Sequence, residues 1–266
     1  MTTTGTPTTI DEGTLAAART AWEDWRRERT TTLSAPHGWL SLTGLHWLDA
    51  EPAAVEGLPG RWTSVDGGVD VTATAADGIV LDGSPVEGTV RVGTTEGAPG
   101  TLVEVGERRV EVLQRSGNHA LRVRDPQSPT LAAFAGVPVF RFSPRYVLPA
   151  EFVPHEQVQD VVVGAVVEGL EHRYRGVGLV RFDLDGPQQL TVFQGGTTLF
   201  TDATSGVTTT GTTRSVTVPT TPGPVVLDLN RAQNLPCAFT DFATCPLPPV
   251  ENRLTVPVAA GEKDPR

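Results

Sequence analysis

The sequence predicts a mainly β fold: a single-domain antiparallel β-sandwich or barrel with an N-terminal helix and a Pro-rich C-terminal loop. From Trp62 onward, short stretches alternate apolar and polar residues, which is typical of half-buried strands. Glycine and proline, 28 and 22 of 266 residues, separate these stretches at short intervals, and only one segment has helical periodicity. Such spacing favours antiparallel sheets over alternating βαβ units. A sandwich and a barrel share this alternation, so both remain open.

Length does not decide the number of domains, because a sandwich or barrel often reaches 266 residues as one unit. We expect the Thr-rich residues 1–9 to be a disordered tail and residues 10–264 to form one β-rich domain. Within it, residues 10–50 would form the N-terminal helix and a Trp-rich connector. Residues 60–229 would form the sheet, and residues 230–264 a closing loop.

The first predicted element is an amphipathic helix near the N-terminus. Its apolar residues recur at steps of three and four: Leu15, Ala18, Trp22 and Trp25. This spacing places them on one face, with charged residues opposite. Asp11 or Thr14 is suited to cap the helix start. We interpret the tryptophan stripe as a surface that docks on the body of the protein rather than as a ligand site.

The connector, His37–Ala50, combines bulky apolar residues with two glycines ("HGWLSLTGLHWLDA"). It is interpreted as a packed connector or a short helix lying against the sheet. Trp39 and Trp47 are candidates for the apolar wall of a ligand pocket. His46 is a candidate general base, although a histidine beside tryptophan is more often packed than catalytic.

The remaining predicted elements are strands: 69–75, 79–81, 101–105, 109–115, 120–125, 137–142, 161–169, 179–184, 190–193, 214–219 and 224–230. The hairpin 179–193 has the clearest signal, because Asp185-Gly186 is a favoured two-residue turn. Residues 161–169 ("VVVGAVVEG") are so uniformly apolar that we expect a strand buried on both faces.

The closing loop contains a stretch, residues 236–249 ("PCAFTDFATCPLPP"), that is expected to be irregular. Pro236, Pro246, Pro248 and Pro249 exclude helix interiors and central strands. Long irregular loops in compact domains are usually functional or fixed by specific hydrogen bonds.

Both cysteines of the chain, Cys237 and Cys245, lie in this loop. With no C-x2-C pair and no histidine in the segment, their spacing argues against zinc, and we predict no metal and no cofactor. A disulfide is geometrically possible, whereas two buried thiols are the default in a reducing cytoplasm. As a nucleophile, Cys237 would need a base such as His46, His119 or His172 nearby.

Five motifs carry a resemblance to a known family: "GWLSLTGLHWL" (38–48), "ALRVRD" (120–125), "FTDATSG" (200–206), "DLNRAQNLPCAFTDFATCPLPPVENRL" (228–254) and "AAGEK" (259–263). Over roughly residues 20–264 the chain resembles the bacterial and archaeal family called domain of unknown function 1684. Thr210 departs from the family pattern, which has an aromatic residue near it in a "TYG" run. Gln233 stands where the family often has Tyr within "NRAxN". The resemblance implies that a pocket lined by those aromatic residues would be altered in this chain.

Polar residues of the C-terminal region point to a ligand site. Asn230, Arg231, Asn234 and Asn252 combine the planar donors of arginine with amides that can orient a polar group. We predict a small-molecule-binding β domain with a polar pocket near "NRAQN" and "CPLPP", suited to an anionic ligand. The alternative is that Arg231 pairs with a buried acid while the asparagines fix the loop.

Two other functions are consistent with the same residues. The first is a metal-independent hydrolase or lyase, with Glu262 or His46 as base and Arg231 stabilising developing charge. Glu262 would act only if the end of the chain packs on the body, because tails usually fray. The second is a structural or partner-binding domain without a ligand. Asp202 and Arg214 are interpreted as a surface ion pair of little energetic value.

The acidic composition narrows the partners. Lys and Arg number 21 and Asp and Glu number 31, which gives a formal net charge of −10. Nucleic acid and anionic membranes attract clustered basic residues, and the sequence has no such cluster, so we expect neither partner. The longest apolar run, 160–170, is too short to span a membrane. Because no secretory signal is recognised either, we expect a cytoplasmic protein, and its oligomeric state stays open.

Overall fold

The computed structural model describes residues 9–266, so the predicted disordered tail lies outside the described residues except for Thr9. The helices are α1 (Glu12–Leu33) and α2 (Pro129–Ala132), with 3-10 turns at Trp39–Ser41, Ala75–Asp77, Pro144–Tyr146, Leu229–Arg231, Pro236–Ala238 and Val250–Asn252. The strands are β1 (Leu42–Trp47), β2 (Arg61–Val65), β3 (Gly68–Ala73), β4 (Ile79–Leu81), β5 (Ser84–Pro85), β6 (Gly88–Gly93), β7 (Thr101–Val105), β8 (Arg108–Arg115), β9 (Asn118–Arg124), β10 (Val147–Gly164), β11 (Glu171–Asp183), β12 (Pro187–Phe193), β13 (Thr197–Phe200), β14 (Arg214–Thr217), β15 (Gly223–Asp228) and β16 (Gln233–Asn234).

These strands form four sheets, and all pairings between them are antiparallel. The strand orders are β1-β9-β8-β7-β4-β5, β2-β3-β6, β12-β11-β10-β15 and β13-β14-β16. The predicted mainly β, antiparallel fold with one N-terminal helix is therefore confirmed. In the part of the chain that the structure describes, no helix has both the length and the apolar composition needed to cross a membrane.

The apolar core has two parts. One lies within residues 55–123 around the fully buried Trp62, and we call residues 42–124 the amino-terminal half. The other lies within residues 146–260, which we call the carboxy-terminal half. Hydrogen bonds cross between the halves. For example, Arg122 Nε on β9 donates to the Phe242 carbonyl oxygen over 3.1 Å.

The N-terminal helix docks as its periodicity predicts. Asp11 caps α1 by accepting a hydrogen bond from the Thr14 amide over 2.8 Å. Trp22 is buried and its ring packs on Phe142, with centroids 5.8 Å apart. Because Phe142 leads into the carboxy-terminal half, α1 is attached to that side of the molecule.

The Trp-rich connector forms a strand where a connector or short helix was expected. After a 3-10 turn at Trp39–Ser41 it becomes β1, the edge strand that pairs with β9. Gly44 makes room for the side chain of His46, since a Cβ at this position would lie 2.6 Å from His46 Nε2. The segment has no clear two-residue alternation of apolar residues that would predict a strand. Pairing with β9 is what makes it one.

Two predicted strands differ in the structure. Residues 137–142 are irregular and make a single bridge, between Val139 and Glu262. Residues 161–169 are not buried on both faces, because Val162 is 45% exposed. The reason is that β15 pairs only with residues 147–152 of β10. Beyond them β11 is the one described strand paired with β10, and the closing loop reaches it only at Gly164, whose carbonyl oxygen accepts from the Leu247 amide.

Candidate functional site

A polar cluster around Glu262 joins the first helix to the end of the chain. Glu262 is fully buried, and its Oε1 accepts from Arg29 Nε over 2.7 Å. Its Oε2 accepts from Arg29 Nη2 over 3.3 Å and from the backbone N–H of Asn234 over 2.6 Å. Arg29 Nη2 also donates to the Asn234 carbonyl oxygen over 2.7 Å. The end of the chain therefore packs on the body rather than fraying, and Glu262 fixes the guanidinium of Arg29.

A buried ion pair holds the segment that carries Glu262. Arg214 Nη2 lies 2.6 Å from Asp202 Oδ2, and both side chains are fully buried. The same guanidinium donates to the carbonyl oxygens of Ala260 (2.7 Å) and Val258 (3.0 Å). The prediction of a surface ion pair is wrong, because the C-terminal segment covers these residues and removes them from water.

Gly261 sets the backbone turn that brings Glu262 inward. Its φ is +75°, and a Cβ there would lie 2.2 Å from the carbonyl oxygen of Ala232. The close approach allows the Glu262 amide to donate to that same oxygen over 2.8 Å. Only glycine meets both requirements.

A groove of about 890 Å³ opens over this cluster, between α1 and residues 135–139. Trp25, Val137 and Val139 provide apolar lining, and Arg29 and Glu262 lie at its base. Among residues 9–266, no hydrogen-bond partner is found for Arg29 Nη1. The groove thus combines apolar walls with a fixed arginine that has donors to spare.

Two of the predicted ligand-binding asparagines fasten backbone instead. Asn230 bonds both the amide and the carbonyl oxygen of Ser143, over 2.9 and 3.0 Å. Asn252 accepts from the Thr191 amide over 2.7 Å and donates to the Leu199 carbonyl oxygen over 2.8 Å. Both side chains are buried and saturated, as the loop-fixing alternative expected.

Arg231 is likewise not at the groove. Its Nε lies 3.4 Å from the buried Asp228 Oδ2, outside hydrogen-bonding geometry, and its side chain is 41% exposed. Burial raises the pKa of Asp228. Asn230 and Asn234 share no helical face, because the 3-10 turn ends at Arg231 and Asn234 lies in β16. Of the four residues proposed around "NRAQN" and "CPLPP", only Asn234 contacts the Glu262 cluster, through its backbone.

The tryptophans and His46 lie elsewhere. Trp39 lines a different groove, of about 610 Å³, where the guanidinium groups of Arg122 and Arg124 lie 5.3 and 5.1 Å from its ring centroid. Trp47 and His46 belong to β1, and Trp47 is 40% exposed. The prediction that one pocket unites Trp39, Trp47 and Arg231 is therefore wrong. Trp39 lines a separate groove, and Trp47 lies on β1 in the amino-terminal half.

Arg29 is the residue that the sequence reasoning missed, although a signal for it exists. The buried or half-buried stripe of α1 runs through Trp22 and Trp25 to Arg29 and Leu33. A charged residue at an apolar position of such a stripe indicates a partner buried beneath the helix.

The two cysteines are free thiols that contact each other's backbone. The Cys237 amide donates to Cys245 Sγ over 3.1 Å, and the Cys245 amide donates to Cys237 Sγ over 3.2 Å. The hydrogen bond with Cys245 lowers the pKa of Cys237, while the same contact and burial raise the pKa of Cys245. Within residues 9–266, no group of three or more His, Cys, Asp or Glu side chains is arranged to hold a metal ion.

We expect Cys237 to be alkylated first in the folded protein. It is half-buried whereas Cys245 is buried, and its lowered pKa increases the thiolate fraction that reacts. With iodoacetamide, the pH midpoint of its modification should fall below that of an unperturbed cysteine thiol, as read by peptide mass mapping. Equal or faster modification of Cys245 would contradict this assignment.

Comparison with known proteins places these features in a family. A family described as "Protein of unknown function (DUF1684)" matches residues 132–263, which include Asn234 and Glu262 but not Arg29. The motifs at 38–48 and 120–125 lie outside the matched residues. The chain is also 30% identical to an uncharacterized protein of Haloarcula marismortui with a solution NMR structure, over 50% of this chain and 78% of that one, with a TM-score of 0.41. No curated protein matches. The chain belongs to the DUF1684 family.

Proposed function

We propose that the protein binds a small organic anion in the groove along α1. The anionic group would accept hydrogen bonds from Arg29 Nη1, and the apolar body would lie against Trp25, Val137 and Val139. The observation that carries the proposal is the position of Arg29: Glu262 and the Asn234 carbonyl oxygen hold Nε and Nη2, whereas Nη1 has no partner among the described residues.

Fixing the guanidinium beforehand favours binding. An arginine side chain that is already held loses little conformational freedom when a ligand arrives. Its hydrogen bonds to an anion are charge-assisted and therefore among the stronger ones. The groove, at about 890 Å³, lies in the usual size range of small-molecule sites.

The charges at the rim of the groove balance one another in an otherwise acidic protein. Arg27 pairs with Asp24, while Arg26 stacks over the Trp22 ring at 4.8 Å. In residues 9–266 no carboxylate lies within ion-pairing distance of Arg26. Arg26 therefore offsets Glu23, which lines the same groove, so the rim does not repel an anion although the protein as a whole is acidic.

Binding is favoured over the hydrolase or lyase alternative because both oxygens of Glu262 are already engaged. A carboxylate used to position arginine is poorly placed to accept a substrate proton as well. A structural or partner-binding domain, the third alternative, would leave the groove without a small-molecule ligand.

We retain the cytoplasm as the proposed location of the protein.

The proposal predicts that Arg29→Lys weakens the binding of octanoate at least about tenfold, because lysine can keep the ion pair with Glu262 but loses the Nη1 donors. Tryptophan fluorescence follows the titration, since Trp25 lines the groove. Arg19→Lys is the matched control, because Arg19 is on the same helix and stacks on Phe142 outside the groove. Equal affinity in the two variants, or no binding to the unmodified protein, would refute the proposal.

A further inference from the structure

A second cleft, of about 630 Å³, lies where the two halves meet. One wall is the β8–β9 turn with Arg115, and the other is the start of β11 with His172 and Tyr174. The Glu171 amide donates to Ser116 Oγ over 2.9 Å and holds the walls together. This cleft is separate from the groove along α1, and no residue lines both.

The ring of His172 is oriented by the closing loop. Its Nε2 lies 2.5 Å from the carbonyl oxygen of Thr244. A carbonyl oxygen only accepts hydrogen bonds, so Nε2 carries the proton and Nδ1 presents a lone pair. Nδ1 has no partner within the described part of the chain. Burial also lowers the pKa of His172, which keeps the ring neutral at neutral pH.

Two donors lie beside this acceptor. Tyr174 stacks near His172, with centroids 6.4 Å apart, and contacts Phe193 on its other side at 4.8 Å. Its Oη forms no hydrogen bond with any residue from 9 to 266. Arg115 is held through Nη1 alone, by the carbonyl oxygens of Ala98 and Gln114 at 3.0 and 2.6 Å. Its Nη2 and Nε are not used in those contacts.

Charges in the cleft are balanced. Glu96 uses both carboxylate oxygens on backbone amides, those of Ser116 and Gly117, each at 2.8 Å. Glu171 lies 4.0 Å from Arg173. Arg115 is the arginine of the cleft that has no carboxylate within ion-pairing distance among residues 9–266, so its free donors are open to a ligand. A fully ionised anion would gain nothing from the lone pair of His172, whereas a protonated oxyanion both accepts from Arg115 and donates to histidine.

We propose that this cleft is a ligand site for a small oxyanion that keeps an O–H group, such as a hydrogen phosphate or a hydroxy acid. Arg115 and Tyr174 Oη donate to its oxygens, and its O–H donates to His172 Nδ1. The closing loop takes part by fixing the imidazole through Thr244.

Inorganic phosphate is the probe that tests this site. Imidazole 15N spectra should show a saturable change at His172 Nδ1, while Nε2 keeps its proton and its bond to Thr244. Arg115→Gln should weaken phosphate at least about tenfold. Arg181→Gln, the same change in net charge on the exposed part of β11, should leave it unchanged.

An unshifted Nδ1 resonance, or equal phosphate affinity in Arg115→Gln and Arg181→Gln, would overturn the proposal. Should Arg115→Gln fail to fold, Tyr174→Phe decides, because it retains both ring contacts and removes only Oη. A several-fold loss of affinity in Tyr174→Phe supports the site, and unchanged affinity refutes it.

Discussion

Asp202→Asn is expected to lower the free energy of unfolding by about 3–5 kcal/mol. The substitution leaves the charge of Arg214 uncompensated, and both side chains are fully buried. It also weakens the anchor of the C-terminal segment, because Asp202 Oδ1 accepts from the Val258 amide over 3.0 Å. Urea denaturation followed by tryptophan fluorescence measures the change.

The matched control is Asp185→Asn. Asp185 also pairs with an arginine at 2.6 Å, but the side chains of Arg145 and Asp185 are 55% and 46% exposed. Solvent screens such a pair, so the same substitution should cost only about 0–1 kcal/mol. Similar losses in the two variants would contradict the view that burial makes the Asp202–Arg214 pair matter.

Gly261→Ala should destabilise the protein more than a left-handed backbone alone explains. A non-glycine residue at positive φ costs about 1–3 kcal/mol. Here the added Cβ would also lie 2.2 Å from the Ala232 carbonyl oxygen, which is backbone and cannot move aside like a flexible side chain. The expected loss of unfolding free energy therefore exceeds that range, and thermal unfolding checks it.

Gly67→Ala separates the two contributions. Gly67 has the same φ of +75°, but nothing lies within 4 Å of its Cβ position. It should cost only the backbone strain, about 1 kcal/mol or slightly more. If Gly261→Ala were no worse than Gly67→Ala, the close approach to Ala232 would not be needed to place Glu262.

Where local pattern dominates, the fold followed from the sequence. The hairpin of β11 and β12 was predictable, because the Asp185-Gly186 turn and strict alternation agree. Asp185 and Gly186 do adopt positive φ, 52° and 116°. The N-terminal helix was predictable for the same reason. Its N-cap and its apolar stripe are both formed by residues that are close together in the sequence.

Burial was harder to predict, because it depends on partners far along the chain. Residues 161–169 are apolar enough for a core strand, yet β15 does not reach them. Conversely, nothing local marks Asp202 and Arg214 as buried. Both side chains are buried because the C-terminal segment packs over them, and the residues around Asp202 and Arg214 in the sequence do not predict that contact.

The candidate site shows the same division. Glu262 and Asn234 were candidates from residue type, but their partner Arg29 is 233 residues from Glu262. Sequence alone could not assign the arginine of the site, and it favoured Arg231 because that residue lies among the asparagines. Arg29 meets the requirement that was set for Arg231, a fixed fork of donors beside a pocket.

Native mass spectrometry in millimolar octanoate tests the central claim, that Arg29 anchors an anion in the groove along α1. Unmodified protein and Arg29→Lys are compared under the same conditions, and denatured samples confirm that the bound mass is not covalent. We predict an added octanoate mass in the native unmodified protein that is lost or strongly reduced in Arg29→Lys. Equal occupancy in both proteins, or no added mass in either, would contradict the account.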